Sequence, residues 1–213
     1  GGGVRALTSG EADDHDADIA PDGKAVVFVR GTARSATDNA EDLYSVRPTG
    51  GGLARLTRTG GVDEFEPRYF AGGILYSRGE SSEGPAAYAD IYTMRRSGAK
   101  PKALVAGVGS AYVEDVGAKG HLLLFRRDQG LWSKQIGPAK ARKLAQLPDG
   151  SETNGVFSSD GKRVAAFVAA EERQALVSID VATRRQAQLA EGFDVDAKDG
   201  TAIGPVIAWQ PAP

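Results

Sequence analysis

The chain has 213 residues, of which 25% are charged and 41% hydrophobic, and its formal net charge is −2. This composition is typical of a folded globular protein with a sizeable core and excludes a disordered chain. The near-neutral charge gives no basis for bulk attraction to nucleic acid or to a membrane. Cysteine is absent, which excludes disulfides, thiolate metal sites and a cysteine nucleophile.

The first elements along the chain are short strands. Residues 4–7 have the pattern of a lone edge strand, and residues 16–20 and 25–30 are predicted to form a hairpin around Pro21-Asp22-Gly23. Asp-Gly is a strong hairpin signal because Gly accepts a positive φ. Residues 43–47 and 53–57 are predicted as the third and fourth strands, joined across three consecutive glycines.

This four-strand pattern recurs along the chain. Asp42-Leu43-Tyr44-Ser45-Val46 returns 48 residues later as Asp90-Ile91-Tyr92-Thr93-Met94, and the Asp-Gly hairpin returns at Asp160-Gly161. Four copies cover residues 7–56, 57–104, 105–144 and 145–189. Aromatic residues in the second strands keep the same spacing, at Phe28, Tyr76, Phe125 and Phe167. Repeats of this length, each of four strands, predict an all-β propeller of four-stranded antiparallel blades.

These repeats resemble the TolB-type, WD-like β-propeller repeat. The resemblance lies in residues 18–29 and 156–162, in Leu-Thr at 7–8 and 56–57, and in Trp209-Gln210-Pro211 near the end. The pattern departs from the family at Ala71-Gly72-Gly73 and at residues 116–120. We expect one domain over residues 1–213 with about five blades, the last closed by residues 1–6 together with 190–213.

The resemblance also implies a bacterial protein that is exported to the periplasm, the cell surface or the medium. The chain opens Gly1-Gly2-Gly3 without an initiating Met, and no signal peptide is visible in it. A signal sequence removed before Gly1 is compatible with this start.

Acidic residues precede the first predicted strand of every repeat. We expect them in loops at one end of the blades, and we expect basic residues in turns at the other end. Loops on a rigid scaffold are common binding sites, and an acidic rim attracts cationic ligands. We therefore predict a binding site for a protein or peptide, and a cationic ligand would fit its charge. The predicted site consists of Asp14, Asp16, Asp18, Asp63, Glu66 and Asp115, with Phe65 and Tyr112 as apolar anchors. The alternative is that these acids only cap or hydrogen-bond the neighbouring blade.

Metal binding is a narrower possibility. Asp14, Asp16 and Asp18 match the first three ligand positions of a calcium loop, but Ile19 and Ala25 occupy the positions of its Gly and Glu, so this is no EF-hand. Asp194-Val195-Asp196 fails in the same way. No cofactor is predicted, and a looser Ca²⁺ site stays open.

Catalysis has little support in the sequence. There is no Gly-x-Ser-x-Gly elbow and no phosphate loop, and the two histidines are His15 and His121. Carboxylates around His15 should raise its pKa and make it a poor neutral base. We therefore predict a non-enzymatic, monomeric binding or scaffold module without nucleic-acid partners. Two alternatives remain. The chain is a propeller domain detached from a larger peptidase-like enzyme, or it is a glycosidase with paired carboxylates in a central funnel. Candidates for those carboxylates are Asp16, Asp18, Glu66 and Asp115, with Phe65, Tyr112 and Phe193 as neighbouring aromatic residues.

Overall fold

The computed structural model describes residues 3–31, 41–80, 88–107, 109–149, 152–170 and 173–191. Sixteen strands in these ranges form four antiparallel sheets of four strands, each sheet following the chain order. The described ranges contain one short 3-10 turn, Ala118–Gly120, and no α-helix. The prediction of an all-β chain built from four-stranded blades is confirmed.

The sixteen strands fall into the four sheets in chain order. The first sheet consists of β1 (Asp13–Ile19), β2 (Val26–Gly31), β3 (Glu41–Val46) and β4 (Ala54–Arg55). The second consists of β5 (Val62–Phe70), β6 (Gly73–Glu80), β7 (Ala89–Met94) and β8 (Lys102–Val105). The third consists of β9 (Ala111–Gly117), β10 (Leu122–Arg127), β11 (Gly130–Gln135) and β12 (Arg142–Gln146). The fourth consists of β13 (Glu152–Phe157), β14 (Arg163–Ala170), β15 (Arg173–Asp180) and β16 (Gln186–Glu191).

The chain divides into two compact units, Gly1–Val113 and Glu114–Pro213. The first unit contains the first two sheets, and the second contains the fourth sheet and most of the third. Whether the two units form the single domain predicted over residues 1–213 stays a prediction.

The Asp-Gly hairpins form as predicted. Gly23 and Gly161 have φ values of +67° and +70°, which side chains with a Cβ rarely adopt. Their N–H groups donate to the carbonyls of Ala20 and Ser158 at 2.7 and 2.8 Å. In the third repeat, where Asp-Gly is missing, the 3-10 turn takes its place, and Lys119 adopts a φ of +59°.

Each unit has its own apolar core. The core of the first unit consists of Ala20, Val27, Val29, Leu43, Tyr69, Ile74, Tyr76 and Met94. The core of the second consists of Leu124, Leu131, Leu144, Ala145, Leu147, Phe157, Val164, Ala166 and Ile179. Each large apolar side chain buried in these cores stabilises the fold by about 2 kcal/mol. The second and third strands also share aromatic ring pairs, Phe28–Tyr44, Tyr76–Tyr92 and Phe125–Trp132.

Three predicted boundaries need correction. The first strand begins at Asp13 instead of residue 16, and the fourth shrinks to Ala54–Arg55 because the N–H groups of Leu56 and Thr57 both donate to the carbonyl of Leu43. Residues 4–7 form no strand with any described residue. The other strands predicted to close a fifth blade fall in residues 192–213, outside the described ranges. The connections at 32–40 and 81–87 also fall outside them.

Candidate binding site

The acidic residues that we expected in loops at the binding face lie on the first strands of three of the four sheets. The strands β1, β5 and β9 carry Asp14, Asp16, Asp18, Asp63, Glu66 and Asp115. The expectation of an acidic loop face is therefore wrong as to the loops. Asp and Glu are disfavoured in strands, but tertiary partners outweigh that preference. Here the partners are arginines, hydroxyls and backbone N–H groups beside these strands.

Two of the predicted binding residues link neighbouring sheets inside their own units. Asp18 accepts the N–H of Tyr69 through Oδ2 at 2.6 Å, and Asp115 accepts the N–H of Phe157 through Oδ2 at 2.7 Å. Burial raises the pKa of Asp18, although the N–H of Tyr69 and the charge of Arg68 act in the opposite direction. Hydrogen bonds to ionised acceptors are stronger than neutral ones. These two carboxylates therefore stabilise sheet packing, and a binding role for them stays a prediction.

Asp14 also has a structural partner. Its two carboxylate oxygens accept hydrogen bonds from Nε and Nη2 of Arg30 at 2.6 and 2.7 Å, and Thr8 donates to Oδ2 at 2.7 Å. The hydrogen bond from Arg30 is the main reason that the pKa of Asp14 is lowered. The guanidinium of Arg30 also lies over the rings of Phe28 and Tyr44, at 5.5 and 5.3 Å from their centroids. This bidentate pair leaves Asp14 with little capacity for a further ligand.

A group of carboxylates surrounds His15 in the first unit. The ring atom Nε2 lies 3.2 Å from Oε1 of Glu41, and Nδ1 lies 3.5 Å from Oδ2 of Asp16. Asp63 joins them because its Oδ1 accepts the N–H of Glu41 at 2.9 Å. Asp13, two residues before His15 in the chain, adds a further negative charge. We call these five residues the His15 cluster.

The His15 cluster is open to solvent and strongly negative. The side chains of His15, Asp16 and Glu41 are 36%, 41% and 36% exposed. Burial alone would lower the pKa of His15, but the hydrogen bond with Glu41 and the charges of Asp16, Glu41 and Asp13 outweigh it, so the pKa is raised. The predicted direction of this shift is confirmed. Glu41 was not singled out in the sequence, because it is 26 residues from His15 and approaches it only through the pairing of β1, β2 and β3.

The backbone is strained at the edge of this cluster. Asp16 and Glu66 have φ values of +51° and +52°, and each lies in a β-bulge of its first strand. The N–H of Glu66 points to Oδ2 of Asp16 at 3.4 Å. Left-handed backbone at non-glycine residues is uncommon and is concentrated at functional sites. The bulges turn these two acidic side chains out of the regular strand alternation.

The two predicted apolar anchors lie together in the first unit. The rings of Phe65 and Tyr112 are 5.8 Å apart at an interplanar angle of 34°, and both residues are partly buried. Beside them, Oε2 of Glu66 accepts a hydrogen bond from the hydroxyl of Ser77 at 2.8 Å. That hydroxyl oxygen in turn accepts the N–H of Val113 at 2.9 Å. The pair has the partial exposure that an aromatic anchor needs.

The weak metal prediction gains no support from the geometry. The three aspartates of the predicted calcium loop have different partners. Asp14 pairs with Arg30, and Asp18 accepts the N–H of Tyr69. Asp16 lies against the His15 ring and the N–H of Glu66. Across the described ranges, no three His, Asp or Glu side chains converge in a way that could hold a metal ion. Asp194 and Asp196 lie outside those ranges.

One buried carboxyl was not recognised from the sequence. Glu64 of β5 is 0% exposed, and burial raises its pKa to about 7. The charge of Asp42 raises the pKa further, while Thr57, Thr59 and Arg78 lower it. Its sequence neighbours gave no signal, because an acidic residue in an acidic run resembles a solvent-exposed one.

Comparison with solved structures identifies the fold as a TolB-like β-propeller. TolB from Acinetobacter baumannii is 18% identical with a TM-score of 0.63, and the match covers 86% of this chain and 45% of that one. A candidate TolB from Agrobacterium tumefaciens is 15% identical with a TM-score of 0.66, covering 88% and 69%. Porphyromonas gingivalis dipeptidyl peptidase 4 is 12% identical with a TM-score of 0.54, covering 78% and 24%.

These similarities define the fold and leave the activity open. This chain spans less than half the length of the Acinetobacter TolB chain. No protein-family model matches the sequence, and no curated protein matches it either. Within the described ranges, no helix is long and apolar enough to cross a membrane.

Proposed function

We propose that this chain is a non-enzymatic binding module that recognises a cationic protein or peptide through the His15 cluster. The observation that carries the proposal is the gathering of Asp13, Asp16, Glu41 and Asp63 around one histidine on an open surface. Four carboxylates within one small area create a negative potential that attracts cations. Phe65 and Tyr112, in the same unit, supply the apolar contact of such a site.

The proposal narrows the set of residues predicted from the sequence. Asp16, Asp63 and Glu66 stay in the proposed site, and Glu41 joins them. Asp14, Asp18 and Asp115 hold arginine or backbone partners, so we assign their charges to the stability of the sheets. We also propose that the protein works as a monomer after export, on the strength of the resemblance to TolB-type repeats.

A matched pair of charge-reversal variants tests this proposal. Asp16→Lys with Glu41→Lys reverses two charges in the His15 cluster. Glu11→Lys with Asp149→Lys changes the net charge by the same amount at exposed sites elsewhere. Binding is measured by fluorescence anisotropy with a labelled Lys-Phe-Lys-Phe-Lys-Phe peptide and with its Glu-Phe counterpart, at low and high salt.

We expect the wild type and the control to bind the Lys-Phe peptide alike. The variant in the His15 cluster should bind at least about tenfold more weakly, because charges that complement a ligand act over several ångströms at low salt. The Glu-Phe peptide should bind neither the wild type nor the control variant. Equal weakening in the control variant, or no binding of the Lys-Phe peptide to the wild type, would refute the proposal.

A second candidate function follows from the likeness to dipeptidyl peptidase 4 of Porphyromonas gingivalis. Under this alternative, the chain is the propeller domain of a longer enzyme, and its blades position a catalytic domain that the described residues do not contain. The genomic coding sequence on both sides of the chain distinguishes the two. A hydrolase domain in the same reading frame would favour the enzyme.

A further inference from the structure

The position of Glu64 is the least satisfied site in the first unit. The side chain is 0% exposed. Neither carboxylate oxygen has a partner in good hydrogen-bond geometry within the described ranges, although the hydroxyls of Thr57 and Thr59 lie near enough to lower the pKa of the carboxyl. The nearest guanidinium atom, Nε of Arg78, is 4.0 Å away. A buried charge without close partners is strongly destabilising, so the site favours the neutral carboxylic acid.

The first sheet shows what a satisfied version of this site looks like. Asp14 pairs with Arg30 across β1 and β2 in the same register in which Glu64 pairs with Arg78 across β5 and β6. In the first sheet the carboxylate and guanidinium lie 2.6 Å apart. In the second sheet Arg78 instead lies over the ring of Tyr92, 5.2 Å from its centroid. The close bidentate pair of the first sheet is therefore replaced in the second by a longer ion pair, with Nε of Arg78 at 4.0 Å from Oε1 of Glu64.

The groups around Glu64 compensate only in part for its charge, because burial and the charge of Asp42 outweigh Thr57, Thr59 and Arg78. β3 contributes Asp42, which is also 0% exposed and whose own partner is Nη2 of Arg55 at 2.5 Å. β6 contributes Arg78 and Tyr76, and the β4–β5 connection contributes the hydroxyls of Thr57 and Thr59. The charged groups of β1 and β2 are engaged elsewhere, through the pairs Asp14–Arg30, Asp16–Glu66 and Asp18–Tyr69.

We propose that Glu64 is a proton-operated latch between the first two sheets, closed when the carboxyl is protonated and loosened when it ionises. β5 packs against β1, β2 and β3, so a charge that appears at Glu64 acts on the packing between the sheets. In the chain, Glu64 follows Asp63 and Asp42 follows Glu41, and Asp63 and Glu41 are joined by a hydrogen bond. Loosening the latch therefore disturbs the His15 cluster through these neighbouring residues.

The sign of the effect follows from proton linkage. The ordinary pKa of 4.5 applies when the site is open, and the raised pKa of about 7 applies when it is closed. The closed state therefore binds the proton more tightly, is fully favoured below pH 4.5, and loses that advantage as the pH rises to about 7. Above pH 7 both states are ionised and little further change is expected.

Hydrogen exchange of the Leu43 amide reports on this latch without any ligand. That N–H donates to Oγ1 of Thr57 at 2.8 Å in a buried position. After correction for the intrinsic exchange rate, its protection should fall about thirtyfold from pH 5 to pH 7, and only about twofold from pH 7 to pH 9. Glu64→Gln should remove this dependence. Asp42→Asn should shift it to lower pH, because a neighbouring negative charge is lost.

Glu11→Gln is the matched control, because it makes the same Glu-to-Gln change at an exposed site of the first unit. It should retain the wild-type profile. A flat wild-type profile, a Glu64→Gln profile like that of the wild type, or a flat Glu11→Gln profile would each overturn the proposal. If Glu64→Gln does not fold, a ¹³C NMR titration of the Glu64 carboxyl in the wild type decides: a midpoint near 7 supports the latch, and one near the ordinary 4.5 overturns it. Because no peptide is present, failure of the latch and failure of the proposed binding function remain distinguishable.

Discussion

Removing the Asp18 carboxylate is the most direct test of how the sheets hold together. Asp18→Ala leaves the N–H of Tyr69, now 2.6 Å from a carboxylate oxygen, without its acceptor. Tyr69 is only 5% exposed, so water has limited access to replace it. A hydrogen bond to a charged group contributes about 1.5–3 kcal/mol. We therefore expect the free energy of unfolding to fall by about 2 kcal/mol.

For a chain of this size, that loss corresponds to a decrease in Tm of about 4–8 °C. Asp18→Asn keeps an acceptor oxygen and should lose about half as much. Asp115→Ala removes the corresponding bond to Phe157 in the second unit. Because the two bonds share no partner, the losses in the double variant should add to within about 0.5 kcal/mol.

Urea unfolding followed by circular dichroism measures the stability, and hydrogen exchange at Tyr69 measures the local effect. If Asp18 links the sheets, its replacement by Ala speeds exchange of the Tyr69 amide while distant amides change only with global stability. An unfolding free energy within 0.5 kcal/mol of the wild type, together with unchanged exchange at Tyr69, would show that the bond is not a link of this kind.

Two further predictions concern a turn and a titration. Gly98→Ala should destabilise the first unit by at least about 2 kcal/mol in urea unfolding. Gly98 has a φ of +81°, and an added Cβ would lie 2.4 Å from the carbonyl oxygen of Leu56. Gly107→Ala is the control: Gly107 has a similar φ but open space around it, so its replacement should lower the unfolding free energy by less. Binding of the Lys-Phe peptide should strengthen as the pH rises through the raised pKa of His15, because the His15 cluster then loses its one positive charge. His15→Gln should abolish that step in anisotropy titrations, and a variant that kept it would exclude His15 as its origin.

Local signals were sufficient to predict much of the fold. The Asp-Gly hairpins at residues 22–23 and 160–161 fixed two turns, because Gly alone accepts their φ without strain. The aromatic residues Phe28, Tyr76 and Phe125 marked the second strands, and all three are buried. Such signals act within a few residues, so they can be recognised in one chain.

The site was less predictable because its chemistry depends on contacts between sheets. Asp18 resembled an exposed acidic residue, because its hydrogen bond with Tyr69 joins residues 51 positions apart in the chain. Glu41 and Glu64 acquire their roles from pairing and burial across separate strands. An acidic run in a sequence does not reveal which of its members are exposed, which are paired and which are buried.

The bonds from Asp18 and Asp115 have an evolutionary consequence. In each, a carboxylate on one sheet accepts a hydrogen bond from a backbone N–H of the next sheet, so this bond does not depend on the side chain at the receiving position, which is Tyr69 in one case and Phe157 in the other. Duplicated blades can then diverge at the receiving position without losing their attachment. Bonds of this kind let repeated blades acquire different side chains, and so different surfaces, while the attachment between the sheets is kept.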